Sequence, residues 1–139
     1  MKEYLSTMVV VTSTALVNFL GGADTALKVL AIFMVIDYLS GIVVAMVFKN
    51  SPKSKNGGLD SAIGFKGICK KLFMVAMVGV ANMLDSVLGT EFVRTGLVLS
   101  LVTNETVSIV ENAGCMGIAI PTVITEAIDI LNGKEKHHD

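Results

Sequence analysis

Four stretches of this chain approach the length a helix needs to cross a bilayer, and only short polar segments separate them. A hydrocarbon core about 30 Å thick requires roughly 20 mostly apolar residues in a helix. Residues 4–23 carry no formal charge, residues 29–48 carry only Asp37, and residues 72–90 carry only Asp85. Residues 92–112 are less uniform, with Arg94 near the start and Glu105 and Glu111 further on. The pattern predicts an all-α integral membrane protein with three to four transmembrane helices in a single membrane domain.

Composition supports that class. Of 139 residues, 53% are hydrophobic and 17% charged, against roughly 25% charged in an ordinary soluble domain, and the mean hydropathy is +0.70. Such values disfavour a disordered chain, a nucleic-acid binder and a water-soluble enzyme of normal composition. The only histidines, His137 and His138, sit in a polar tail, and Cys69 and Cys115 show neither metal-ligand nor redox spacing. Without histidine in the body of the chain no nucleophile–base pairing is visible, and spacing alone does not build a Ser–Lys arrangement. The reading is therefore of a non-enzyme without cofactor, metal site or catalytic residue.

The first stretch follows Lys2, which Glu3 offsets, and three further apolar stretches follow it. It reads as a retained helix rather than a cleaved signal. Thr7, Thr14 and Asn18 give it a polar side, so it either spans or lies in the interface.

Charge is unevenly placed. Between residues 49 and 71 there are six lysines (Lys49, Lys53, Lys55, Lys66, Lys70, Lys71) and one acid, Asp60. A short basic loop of this kind is expected on the cytoplasmic side, where it can also contact anionic lipid head groups. The chain then crosses outward through residues 72–90, turns near Gly89 and returns through residues 92–112, leaving the C-terminus cytoplasmic with Lys134 and Lys136. Within the loop, Ser51-Pro52, Asn56-Gly57-Gly58, Gly64 and Gly67 read as turn and breaker signals. After a Gly-rich connector, Pro121 is suited to open a helix. Ile124, Ala127, Ile128 and Leu131 then fall on one face, and Asn132-Gly133 stops the run. Residues 121–132 are thus a short amphipathic helix.

Polar residues recur where hydrocarbon penalises them. A charge at mid-bilayer costs about 2.5–3.5 kcal/mol on insertion scales. Asp37 lies mid-span, followed on its face by Ser40, Gly41 and Ala45, the last two forming a small-xxx-small pair that permits close helix approach. Asn82 and Asp85 share a stripe in the third stretch; Asn104, Glu105, Ser108, Glu111 and Asn112 do so in the fourth. These eleven residues are the candidate pore-lining or oligomerisation set. So many polar stripes in so small a bundle predict homo-oligomerisation or a water-filled path.

The run Asp37-Tyr-Leu-Ser-Gly41, the loop end Gly64-Phe-Lys-Gly67-Ile-Cys-Lys70-Lys71 and the segment Asn104-Glu105-Thr-Val-Ser108-Ile109-Val-Glu111-Asn112 resemble the phage holins of Gram-positive bacteria and their phages, also called toxin-secretion or phage-lysis holins. The stretch Gly117-Ile-Ala-Ile120-Pro121 is similar too, so the likeness runs from about Leu27 to Leu131. It implies a small protein of the host cytoplasmic membrane that accumulates, then oligomerises into lesions. Through these an endolysin, or in some relatives a large toxin, leaves the cell, with an antiholin as a possible partner. Two departures stand out: four candidate spans where three are usual, and a short, mixed-charge tail from Lys134 to Asp139.

Two alternatives keep the membrane class. A small multidrug-type transporter has this size and a membrane carboxylate, but here the first stretch has no acid and aromatics are scarce. An antiholin or membrane scaffold would use the same helix faces without opening a hole.

Overall fold

The computed structural model describes residues 1–133 and is all-helical. Its helices are α1 (Lys2–Phe19), α2 (Thr25–Val43), α3 (Ser61–Leu88), α4 (Phe92–Cys115) and α5 (Thr122–Leu131). A π-helical turn at Val44–Phe48 prolongs α2 without a break. Lys134, Lys136 and the rest of the tail, on which the C-terminal orientation partly rests, lie outside the described residues.

Side-chain caps set the helix starts. Asp24 accepts from the Leu27 N–H at 3.0 Å and opens α2. Asp60 accepts from Ala62 and Ile63 N–H at 2.8 and 3.3 Å and opens α3. Such caps satisfy amides that have no partner inside the helix. At the other end of α3, Gly89 takes a left-handed φ of 67°, which a glycine adopts without steric cost, and the chain reverses.

The cap at Asp60 corrects the expected boundary of the basic loop. The helix begins at Ser61, not at Leu72, so Lys66, Lys70 and Lys71 are helical and the connector is only residues 49–60. Gly64 and Gly67 are not breakers there. A Cβ on Gly64 would lie 3.5 Å from the Tyr38 hydroxyl, and one on Gly67 would lie 3.7 Å from the Tyr38 ring. Both are ordinary contact distances, so Tyr38 of α2 packs along the face of α3 that these glycines share.

Helices α2 and α4 run parallel, with α3 antiparallel beside them. The starts of α2 and α4 meet where Arg94 pairs with Asp24, and their ends meet where Asn50 Nδ2 donates to the Cys115 carbonyl at 3.1 Å. Between these ends the core is thin and aliphatic: Leu20, Leu30, Met34, Met74, Val78 and Val98. Large apolar residues such as Ile32, Val35, Phe73 and Val80 face outward instead. An outer surface this apolar is a liability in water and the expected surface in lipid.

By length and composition, α2 with its π turn (Thr25–Phe48) and α3 are suited to crossing a membrane. Helices α1 and α4 fall short of that standard among the described residues, where three to four spans are expected. Serine, threonine and asparagine dilute α1, while Arg94, Glu105 and Glu111 charge α4. Helix α1 buries none of its residues. It touches the bundle at its end, where the Phe19 ring covers Gly79 and Asn82 Nδ2 donates to the Phe19 carbonyl at 3.2 Å. Helix α5 likewise has no buried residue.

Candidate functional site

Three charged side chains from three helices meet inside the bundle. Asp37 (α2) is 7% exposed and Glu105 (α4) 2%. Lys71 (α3) reaches between them, with its Nζ 2.7 Å from Asp37 Oδ2 and in direct contact with Glu105 Oε2. Helical spacing brings further polar groups to the same place. Ser40 lies one turn beyond Asp37, and Asn112 lies two turns beyond Glu105. Asn112 Nδ2 donates to Asp37 Oδ1 at 3.1 Å, to the Asp37 carbonyl at 3.2 Å and to Ser40 Oγ at 2.8 Å. Ser40 Oγ in turn donates to the Asp37 carbonyl at 3.0 Å.

Burial explains the arrangement. An isolated carboxylate is strongly disfavoured away from water, whereas one held by an ammonium and an amide is tolerated. Lys71 is grouped with the head-group lysines in the sequence reading. The structure corrects this: its side chain turns inward as the countercharge of Asp37 and Glu105. Lys49, Lys53, Lys55, Lys66 and Lys70 are exposed.

A second cluster closes the opposite end. Arg94 is buried, and its guanidinium donates to Asp24 Oδ2 at 2.7 Å, to Asp24 Oδ1 at 3.3 Å and to the Gly22 carbonyl at 3.0 Å. Its Nε also donates to the Leu20 carbonyl. The α1–α2 turn is thereby clasped to the start of α4. Gly21 is required there: its φ is 82°, and a Cβ would stand 2.7 Å from Arg94 Nε. The guanidinium, helped by the Leu27 amide, holds the Asp24 carboxyl below its usual value of 3.8.

Asp85 sits beside this clasp. Its carboxylate accepts from Thr90 Oγ1 at 2.6 Å and from the Val93 and Arg94 amides at 3.1 and 2.8 Å. It anchors the first turn of α4, which no other side chain caps. Asn82, its expected companion, holds the end of α1. The proposed stripes thus divide between two ends of the bundle.

Of the remaining candidates, Gly41 faces Asn112, where a Cβ would lie 3.8 Å from its amide nitrogen, and Ala45 is buried nearby. Ser108 is half-buried beside the network, while Asn104 and Glu111 are exposed. Among the described residues, Ser54 Oγ is the one buried side-chain polar atom without a hydrogen-bond partner. The buried members of the polar stripes, Asp37, Asn112 and Glu105, thus find partners within one chain, while Asn104 and Glu111 stay on the surface. Lys71 supplies the missing charge. Asp24 escaped the sequence reading, although its spacing from Asp37 nearly matches that of Arg94 from Glu105, the signature of two charged layers on parallel helices.

Residues 14–133 match the bacteriophage holin family. The chain belongs to the bacteriophage holin family. Among its relatives, this holin-family chain is 38% identical to an uncharacterized protein of Halalkalibacterium halodurans, covering 87% of this chain and 89% of that one. It is 36% identical to an uncharacterized protein of Listeria monocytogenes (86% and 83% covered). It is also 30% identical to a probable holin of Bacillus phage phi105, over 81% of this chain and 78% of the phage protein. No solved structure matches. Holin membership and the apolar exterior together identify a membrane protein.

Proposed function

We propose that this protein is a holin whose helices α2, α3 and α4 cross the host cytoplasmic membrane with the basic loop on the cytoplasmic side. In this reading it homo-oligomerises into lesions that release an endolysin or a large toxin. Two of the three charges that lower the hydropathy of α4 are paired, Arg94 with Asp24 and Glu105 with Lys71, so they need not oppose insertion beside α2; Glu111, exposed near the end of α4, falls toward the loop-side surface. Helix α5 then follows on the cytoplasmic side, and α1 either spans or lies in the interface. Neither catalysis nor a cofactor is invoked.

The observation that carries the reading is the inward closure of the polar faces of α2, α3 and α4 inside an apolar shell. While chains are dilute, Asp37, Lys71 and Glu105 satisfy one another within each molecule. At high density the same groups can pair between molecules, with Asn82, Asn104, Ser108 and Glu111 turned to water. Two packings separated by a few kcal/mol make a switch of this kind.

The test is timed expression in bacteria, alone and with a cytoplasmic muralytic enzyme. Abrupt collapse of respiration, with lysis only when the enzyme is present, supports a holin. Absence of collapse, with delay of a known holin on co-expression, supports an antiholin. Proton-coupled dye efflux without leakage of folded protein supports the transporter.

A further inference from the structure

A cavity of about 140 Å³ extends from the connector between α2 and α3, where Ser54 lines it, to the ion-pair network, where Asp37, Lys71 and Glu105 line it. Ala45 and Ser108 form part of its wall, and Lys70 lines it as well. Three observations say what occupies it. Two carboxylates share one ammonium in the network, so an excess negative charge sits inside the bundle, and a dry interior penalises that heavily. Ser54 Oγ meets no protein hydrogen-bond partner among the described residues, so it adds a polar atom that only water can satisfy. The cavity is also several times larger than the roughly 10–15 Å³ of probe volume one water needs, and although most of its wall is apolar, its inner end carries Asp37, Lys71, Glu105, Ser108 and Asn112, polar groups able to bind water.

Toward the other end of the bundle the lining changes. Past Met74 the space between α2, α3 and α4 is filled by Leu30, Met34, Val78 and Val98, all buried. That aliphatic plug offers water no hydrogen-bonding partner until the Arg94 clasp is reached, about 16 Å along α4 from Glu105 at 1.5 Å per residue.

We propose that the cavity is an aqueous vestibule open to the loop-side phase and sealed from the opposite side by the plug, so that the Asp37–Lys71–Glu105 network is solvated from one face of the membrane only. This rests on the reading that α2 and α3 cross the bilayer. Solvation from one face lowers the cost of the excess charge without letting ions pass, and it leaves the network able to open toward the loop side.

The test uses the full chain in inverted and right-side-out membrane vesicles, with Cys69 and Cys115 replaced by serine and expression kept below the level at which the vesicles leak. Single cysteines are placed at Ala45 and Ser108 in the vestibule wall and at Val98 in the plug. Lys53→Cys marks the loop face and Glu91→Cys the opposite face. The probe is a membrane-impermeant, positively charged methanethiosulfonate. Ser108→Cys and Ala45→Cys should react from the loop face, more slowly than the exposed Lys53→Cys because Ala45 is buried and Ser108 half-buried, but well above the rate of Val98→Cys. From the opposite face they should be roughly a hundredfold slower, the protection expected of groups reached only by local opening, and Val98→Cys should be protected from both. The proposal is overturned if the two wall cysteines are as protected as Val98→Cys, or if they react equally from both faces. Labelling of Lys53→Cys and Glu91→Cys from the same face would instead overturn the membrane-crossing reading, and the vestibule's sidedness with it.

Discussion

Lys71 Nζ stands 2.7 Å from Asp37 Oδ2 and also touches Glu105, so one ammonium ties α3 to both parallel helices. Removing it leaves two buried carboxylates without a countercharge. Lys71→Met should destabilise the folded protein by about 3–5 kcal/mol, the usual result of breaking one side of a buried pair. Adding Asp37→Asn and Glu105→Gln to Lys71→Met should recover much of that loss, because the buried charge is then gone. Thermal unfolding in detergent checks both variants, and a triple variant no more stable than Lys71→Met would refute the pairing.

The Arg94 clasp depends on the planar fork of a guanidinium, which a lysine lacks. Arg94→Lys should therefore lose most of the contacts to Leu20, Gly22 and Asp24, at about 2–3 kcal/mol. The α1–α2 turn should loosen while the network at Lys71 stays intact. Spin-label mobility at the exposed Ala23, compared with a label at Ser108, reads the two ends separately.

Acid should weaken the same clasp. Asp24 has a folded pKa below its ordinary value of 3.8, so its pairing stabilises the fold above that value and the contribution is lost as pH falls through the folded pKa. Because the Asp24 side chain is 49% exposed, solvent screening keeps the effect under about 1 kcal/mol. A stability–pH profile should show a small step below pH 4 that Asp24→Asn abolishes.

Asp85 offers a clean separation of roles. As the anchor of α4's first turn, it should cost about 1–2 kcal/mol when replaced by alanine. The onset of any membrane lesion, compared at equal folded protein, should not change. A large shift in onset without a change in stability would return Asp85 to the pore-lining set.

Close packing of α1 on α3 rests on one residue without a side chain. A Cβ on Gly79 would stand 2.0 Å from the Phe19 ring. Gly79→Ala should therefore swing the partly exposed Phe19 ring aside and loosen the end of α1 at under about 1 kcal/mol, because the ring is free to turn outward. Adding Phe19→Ala should remove the clash, and disulfide cross-linking between α1 and α3 reports the loosening.

Depth arguments singled out Asp37 and Glu105 because a carboxylate far from both ends of an apolar helix must find a partner. Both lie in the network. The same reasoning misplaced Lys71, since a lysine beside a basic loop looks like its last member when the helix start at Asp60 is not seen. It also attached Asp85 to a stripe, because spacing along α3 says nothing of the α4 amides that its carboxylate meets. Asp24 looked like a turn residue; only the arrival of Arg94 makes it half of a clasp.

Hydropathy and spacing alone settled that this chain is helical, that its outer surface is apolar and that each long helix has one polar side, because these follow from composition and the 3.6-residue repeat within a single segment. Which polar sides meet is a different quantity. It depends on the rotation and direction of helices far apart in sequence, seen in the parallel course of α2 and α4 and in the ion pairs that join them to α3 and to the α1–α2 turn. Only the folded bundle decided that the charges of Asp37, Lys71 and Glu105 answer one another.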